Sequence, residues 1–278
     1  MARVLTDDES LRRVLALVHA RTGIDFQSYK PPTILRRIAQ RIAALGVADL
    51  AAYGERLARD PDELDALVDA LLIKTTWMFR DRATFDALRS TGFPRLFAER
   101  AARGARAVRA WVAGCSTGEE PFSLAMCMLE AAAPSGMQVS VLASDVDPAA
   151  LAALGRGVVS PTAIAEVPDD LAARWLARTE EGYEVAAEVR RVVTASQHDV
   201  LASENPAPRA AVLASFDVVS CRNLLIYLGT EAQRTVTARI IKACAPGGLL
   251  VLGKSEMPRG AAEELTPLAE GLSIYVVS

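Results

Sequence analysis

The sequence predicts an α/β protein: a doubly wound, mainly parallel sheet preceded by a small all-α domain. Two observations carry this. The first eighty residues place apolar side chains at helical spacing, whereas from Arg109 short apolar runs alternate with helical stretches. The runs are RAWVA, then 119–133; VSVLAS, then 148–154; FDVVS, then 231–244; and finally GGLLVLG and SIYVVS. Such alternation builds βα units on a parallel sheet. A third observation bounds the class. With 51% hydrophobic and 23% charged residues the chain can bury a real core, yet no apolar run approaches the ~20 residues of a membrane span.

Each helical element has its own signal. Thr6 and Glu9 have capping-box spacing before LRRVLALV. Ile34, Leu35, Ile38, Ile42 and Leu45 share one face of a helix over 33–45. Asp60-Pro61 opens a third helix, with Glu63 completing a second box and Leu64, Leu67, Val68, Leu71 and Leu72 forming its apolar stripe. Residues 98–110 read as a helix end and connector. The domain division falls at 1–80 and 81–278. Within the second domain, 160–196 breaks the βα rhythm with a helix at 169–177 and polar, β-favouring segments, and reads as a small β insert.

Several function classes are disfavoured. A net charge of −3 argues against bulk nucleic-acid binding. Cys115, Cys127, Cys221 and Cys244 form no CxxC pair, and only His19 and His198 could assist them. No metal site is therefore expected, and the dispersed thiols suit a reducing, cytoplasmic location. MARVLTDDES lacks the apolar core of a signal peptide, and nothing demands more than a monomer.

The chemistry concentrates in WVAGCSTGEEPFSLAM, residues 111–126. A strand ends in a turn bracketed by Gly114 and Gly118, and two carboxylates, Glu119 and Glu120, open the next helix. A dinucleotide site would show G-x-G-x-x-G and keep that helix end clear for pyrophosphate. This turn does neither. In VLASDVDP, Asp147 is explained as an N-cap before Pro148, but Asp145 is not. An acid at that strand end suits ribose hydroxyls. A ligand with a ribose, no phosphate and a positive charge near carboxylates answers all three features. S-adenosylmethionine is such a ligand, and a methyltransferase is the expected enzyme.

AGCSTGEEPFSLAM, ASDVDPAAL, FDVVSCRNLLIYL and GGLLVLGKSE, in this order, closely resemble the CheR family of chemoreceptor glutamate O-methyltransferases. GIDFQSYKPPTILRRIAQRIAALGV resembles that family's N-terminal domain and TTWMFRD its short signature before the catalytic domain. The resemblance covers nearly the whole chain. It implies a Rossmann-like, S-adenosylmethionine-dependent domain and S-adenosylhomocysteine as product. It also implies that Thr76, Arg80, Gly114, Glu119, Asp145, Asp199, Val200, Arg222 and Asn223 bind the cofactor. Asp199 and Val200, in QHDVL, would lie near the adenine. Arg80 and Tyr227 would orient the acceptor carboxylate. Arg36, Arg37 and Arg41, opposite the apolar face of the second helix, would dock on the cytoplasmic methylation helices of a chemoreceptor. The insert matches in location a β subdomain that grips a receptor tail peptide in some relatives. Lys74 departs from the pattern, standing where many relatives have asparagine. It could pair with an acid such as Glu119 or point outward. It is also the one support for an alternative, a non-catalytic scaffold that keeps the fold.

Overall fold

The computed structural model describes residues 8–202, 207–208, 215–260 and 262–278. The chain forms two compact units. Up to Ile73, together with Tyr227–Gln233, it forms a helical unit. Lys74–Ile226 and Arg234–Ser278 form an α/β unit.

The helical unit contains α1 (Asp8–Thr22), α2 (Pro31–Leu45), α3 (Leu50–Leu57) and α4 (Pro61–Leu71). Thr6 lies outside the described residues. Proline at the start of α2 and Gly46 in the left-handed region after it set the ends of that helix. Val14, Val18, Ile34, Ile38, Leu50, Leu57 and Leu67 are buried, and each such side chain is worth about 1.5–3 kcal/mol. The sequence signals did not resolve α3, whose eight residues are too few to show a clear period; Asp49 caps it by accepting from Ala52 N–H at 2.8 Å. Asp60 caps α4 through Glu63 N–H at 3.1 Å. The reciprocal half of that capping box is replaced, because the Glu63 side chain is drawn inward to Arg41 and to the Tyr53 hydroxyl, 2.6 Å away. Residues 227–233 join this unit through Lys30 N–H to Tyr227 O at 2.8 Å and a Tyr29–Leu228 bridge.

The α/β unit opens with α5 (Arg82–Ala87), a π-helical turn at Leu88–Gly92 and α6 (Phe93–Ala102). Then come β1 (Ala107–Ala113), α7 (Glu119–Ala132), β2 (Gln138–Asp145), α8 (Pro148–Arg156) and β3 (Val158–Val159). After α9 (Asp169–Trp175) follow β4 (Leu176–Arg178), β5 (Tyr183–Val185), α10 (Ala187–Val192) and β6 (Val193–Gln197). The unit ends with β7 (Phe216–Cys221), α11 (Thr230–Ala243), β8 (Cys244–Leu252), β9 (Leu265–Pro267) and β10 (Ile274–Val277). The main sheet has the order β6-β2-β1-β7-β8-β10-β9. Its first five strands are parallel, and β10 runs antiparallel to both of its neighbours, β8 and β9. Strand order reverses at β1, which places a crevice at the carboxyl ends of β1 and β7.

The insert is smaller than the sequence suggested. β3, β5 and β4 form a separate antiparallel sheet, but RRVVTAS leaves it. Its first residues end α10, and 193–197 become β6, paired in parallel with Val141–Asp145 of β2. The helix expected to reach residue 177 stops at Trp175, because Leu176–Arg178 pairs with β5.

Candidate active site

β1 and β2 set the floor of the site. Trp111 of β1 is fully buried, and its indole N–H donates to Ser144 Oγ of β2 at 2.9 Å. After β1, Gly114 and Cys115 both donate backbone N–H to Ser144 O, at 2.8 and 2.9 Å. The turn that results needs glycine at its second bracket. Gly118 has φ +106°, and a Cβ there would stand 2.7 Å from a Leu154 side-chain carbon.

Asp145, at the end of β2, is held by that turn. Ser116 N–H donates to one carboxylate oxygen at 2.8 Å and Asp147 N–H to the other at 3.0 Å. Each oxygen keeps a lone pair for a further donor. Burial raises the Asp145 pKa above its usual value, while these backbone bonds pull the other way. Asp147 caps α8 through Ala149 N–H at 2.8 Å, as its position before Pro148 suggested. Beyond β6, Asp199 accepts from Leu201 N–H at 2.8 Å, and Val200 is buried with its carbonyl bonded to Arg239.

The paired glutamates have separate partners. Glu119 stays at the turn, nearly buried, and accepts from the Thr117 hydroxyl at 2.6 Å. Burial pushes its pKa up, against that hydrogen bond. Glu120 reaches across the sheet end instead. It accepts from Ser220 Oγ at 2.6 Å and meets Arg222 at 3.3 Å.

Arg222 follows β7 and is 4% exposed. Besides Glu120 it binds Asp81 at 3.0 Å and the Arg80 carbonyl, and its guanidinium lies 5.2 Å from the centre of the Phe85 ring. Its terminal nitrogens thus meet protein groups, while its buried Nε has no hydrogen-bond partner among the described residues. Asn223, next in sequence, takes φ +58° and donates its backbone N–H to Glu256 at 2.9 Å. Glu256 also accepts from Gly253 N–H at 2.7 Å and Ile226 N–H at 3.1 Å. This one buried carboxylate therefore ties the loop after β7 to the loop after β8. Burial raises its pKa, and the backbone donors offset part of that shift.

Thr76 and Arg80 lie on the segment between α4 and α5. Thr76 is half-buried. Arg80 donates to Thr75 O at 2.8 Å and stacks 4.6 Å above the Trp77 ring. Phe79, Asp81, Ser116 and Asn223 are the non-glycine residues with positive φ among the described residues. All four belong to the loops just described. Left-handed backbone at such residues costs about 1–3 kcal/mol each and persists where surrounding contacts hold it.

Residues 74–270 match the family described as CheR methyltransferase, SAM binding domain, and residues 9–72 match the CheR methyltransferase all-alpha domain. The chain belongs to the CheR family. It is 34% identical over 250 residues to an uncharacterized 104.1 kDa protein of Rhodobacter capsulatus, which covers 89% of this chain and 25% of that protein. It is 34% identical over 267 residues to a probable biofilm formation methyltransferase, WspC, of Pseudomonas putida, covering 96% of this chain and 61% of that protein. It is 28% identical over 282 residues to the chemotaxis protein methyltransferase of Salmonella typhimurium, covering 99% and 92%. The chain thus spans a quarter of the first of these relatives and about three-fifths of the second.

The residues of this CheR domain fit S-adenosylmethionine. Asp145 is partly exposed with acceptor capacity to spare, and Gly114 is exposed with φ +72° beside it, so a ligand can meet the backbone of the turn. Lys74 does not oppose a cationic ligand as a lone charge. Its Nζ lies 3.0 Å from Asp147, so it pairs with an acid, as the sequence allowed, and that acid is Asp147 in place of Glu119.

Two features changed the sequence reading. Of the docking arginines only Arg36 is exposed. Arg37 donates to Ala70 O, and Arg41 forms a two-pronged ion pair with Glu63. Both guanidinium groups are thus engaged within the helical unit, because α4 offers acceptors close to that face of α2. Glu120, expected with Glu119 to face a cationic ligand, instead meets Ser220 and Arg222, and Glu256 had been given no role. Glu256 carried a weak signal, an acid right after an apolar strand and its glycine. No helix is long and apolar enough to cross a membrane among the described residues.

Proposed function

We propose that this CheR domain transfers the methyl of S-adenosylmethionine to glutamate side-chain carboxylates on the cytoplasmic methylation helices of a chemoreceptor, giving glutamate methyl esters. Arg80 carries this reading. Among the described residues its guanidinium has a carbonyl and a ring as neighbours but no acid, so its planar fork is available for an acceptor carboxylate.

The cofactor supplies the methyl group as a sulfonium electrophile when bound. The acceptor glutamate has an ordinary pKa of ~4.3 and is ionised at neutral pH, so no general base is required. A carboxylate oxygen forms the new bond to carbon, and the sulfur keeps the electron pair of the bond that breaks. The protein's part is orientation and exclusion of water. Asp145 and the Gly114 turn would fix the ribose and methionyl ends, while Arg80 and the Tyr227 hydroxyl would hold the acceptor. Thr76, Glu119, Asp199, Val200 and Asn223 are proposed as further cofactor contacts.

Arg80→Ala should remove most methylation of receptor fragments while leaving S-adenosylhomocysteine affinity nearly intact. Turnover near that of the unaltered protein would overturn the assignment. Tyr227→Phe should lower turnover with the same cofactor affinity. We further propose that the helical unit meets the receptor, with Arg36 as the contact. The scaffold alternative loses its support, since the charge of Lys74 is paired with Asp147.

A further inference from the structure

We propose that Arg222 and Ser123 are positioning residues that clamp the Met78–Asp81 loop and so aim Arg80. The inference rests on the acceptor-binding role given to Arg80 above. It differs from the cofactor-contact role that resemblance gives the Arg222 side chain.

Arg80 sits between two left-handed residues, Phe79 at φ +57° and Asp81 at φ +61°. A chain does not keep that shape at non-glycine residues unaided. Here the loop is held at three of its peptides. Met78 N–H donates to Ala163 O at 2.8 Å. Phe79 N–H donates to Ser123 Oγ at 3.0 Å, and that hydroxyl donates to Glu119 O at 2.6 Å. Ser123 is 0% exposed, so no water can take its place. Arg222 then holds the far end, binding the Arg80 carbonyl and the Asp81 carboxylate with one nitrogen while another meets Glu120.

Arginine suits this task. From the end of β7 one planar group reaches three acceptors, the Arg80 carbonyl and Asp81 carboxylate of the loop and Glu120 of α7; a lysine offers a single point charge. The guanidinium also packs against Phe85, which closes one of its faces. The clamp leaves Arg80 itself over Trp77, with no acid beside it. Loss of the clamp should let the loop relax toward ordinary backbone angles. Arg80 would then leave Trp77 while the Asp145 turn stays in place.

The test uses protein labelled with 5-fluorotryptophan, whose three tryptophans are Trp77, Trp111 and Trp175. Trp77→Phe identifies the Trp77 fluorine signal, and Arg80→Ala shows where it goes when the guanidinium is absent. Ser123→Ala and Arg222→Lys are expected to move that signal toward the Arg80→Ala position. The other two signals should stay, and the S-adenosylhomocysteine Kd by calorimetry should remain within about threefold. Methylation turnover should fall by about tenfold or more, as misplacement of an orienting group predicts. A stationary Trp77 signal in both variants would overturn the proposal. So would an Arg222→Lys protein with an unmoved signal and a Kd more than about tenfold weaker, which would make Arg222 a cofactor ligand. If Arg222→Lys does not fold, Ser123→Ala decides alone, since it removes one hydroxyl. Failure of the wild type to bind S-adenosylhomocysteine would count against the methyltransferase reading, and the Trp77 signal would still report on the clamp.

Discussion

Lys74 Nζ lies 3.0 Å from Asp147 Oδ2, and the other oxygen of Asp147 caps α8. The departure from the family's asparagine is thereby absorbed by an acid already fixed for another purpose. Lys74→Asn should leave S-adenosylhomocysteine affinity within about threefold and cost about 1 kcal/mol or less, the range for a partly exposed pair. Calorimetry and thermal melts check both. A large gain in affinity would show that the lysine charge acts on the ligand after all.

The proposed ribose contact of Asp145 predicts a pH dependence of cofactor binding. Burial raises its pKa, so its ionised form, the better acceptor for ribose hydroxyls, is lost at a pH above the usual ~3.9 of aspartate. S-adenosylhomocysteine affinity should fall as pH drops through that raised value. Stability runs the other way. The contribution of this group is fully present below its unfolded pKa and is lost as pH rises through the folded one. Asp145→Asn should weaken binding by about tenfold or more, since one backbone N–H then faces an amide donor instead of an acceptor. A flat affinity profile in the wild type would refute the role.

Glu256 serves three backbone donors at once. Glu256→Gln replaces one acceptor oxygen with an N–H₂ group and leaves a buried donor unmet. A loss of about 1–3 kcal/mol is expected at neutral pH, with weaker S-adenosylhomocysteine binding because Asn223 loses its tether. Unchanged unfolding and binding would mean that the latch is dispensable.

Arg36 and Arg41 should behave as opposites. Arg41→Ala strands Glu63, which is 5% exposed, and should destabilise the helical unit by about 3–5 kcal/mol. Arg36→Glu should leave melting unchanged and weaken receptor methylation at low salt. Reversal of all three arginines would confuse docking with unfolding, so single substitutions are needed. Equal methylation by the Arg36→Glu protein would remove this residue from the contact.

Elements with a regular period were legible in the sequence. The βα alternation, the C-terminal end of α2, the start of α4 and the Asp147 cap depend on local chemistry and were found there, whereas α2 begins two residues earlier than its apolar stripe indicated, at Pro31. Asp145 stood out because no local role explained it. What could not be read was pairing across distance. Nothing near Glu120 in the chain announces that it meets Arg222, 102 residues away. Arg41 looked like a surface residue because its partner Glu63 already had a local explanation as half of a capping box. β6 was assigned to the insert because β-propensity reveals that a segment is a strand but not which sheet recruits it.

The sheet's last strands have a bearing on biosynthesis. β10 lies between β8 and β9 and satisfies the backbone of both. A nascent chain that has emerged only as far as Glu256 already holds the glycine turn, Asp145 and the Arg222 loop. Yet it presents the outer edge of β8 bare, an apolar strand open to any passing polypeptide. Ribosomes that stall between Glu256 and β10 would therefore release a domain with its ligand-binding half made and its flank unsealed. Residues 274–277 act as the closing seam, and a truncation there should show itself first as aggregation.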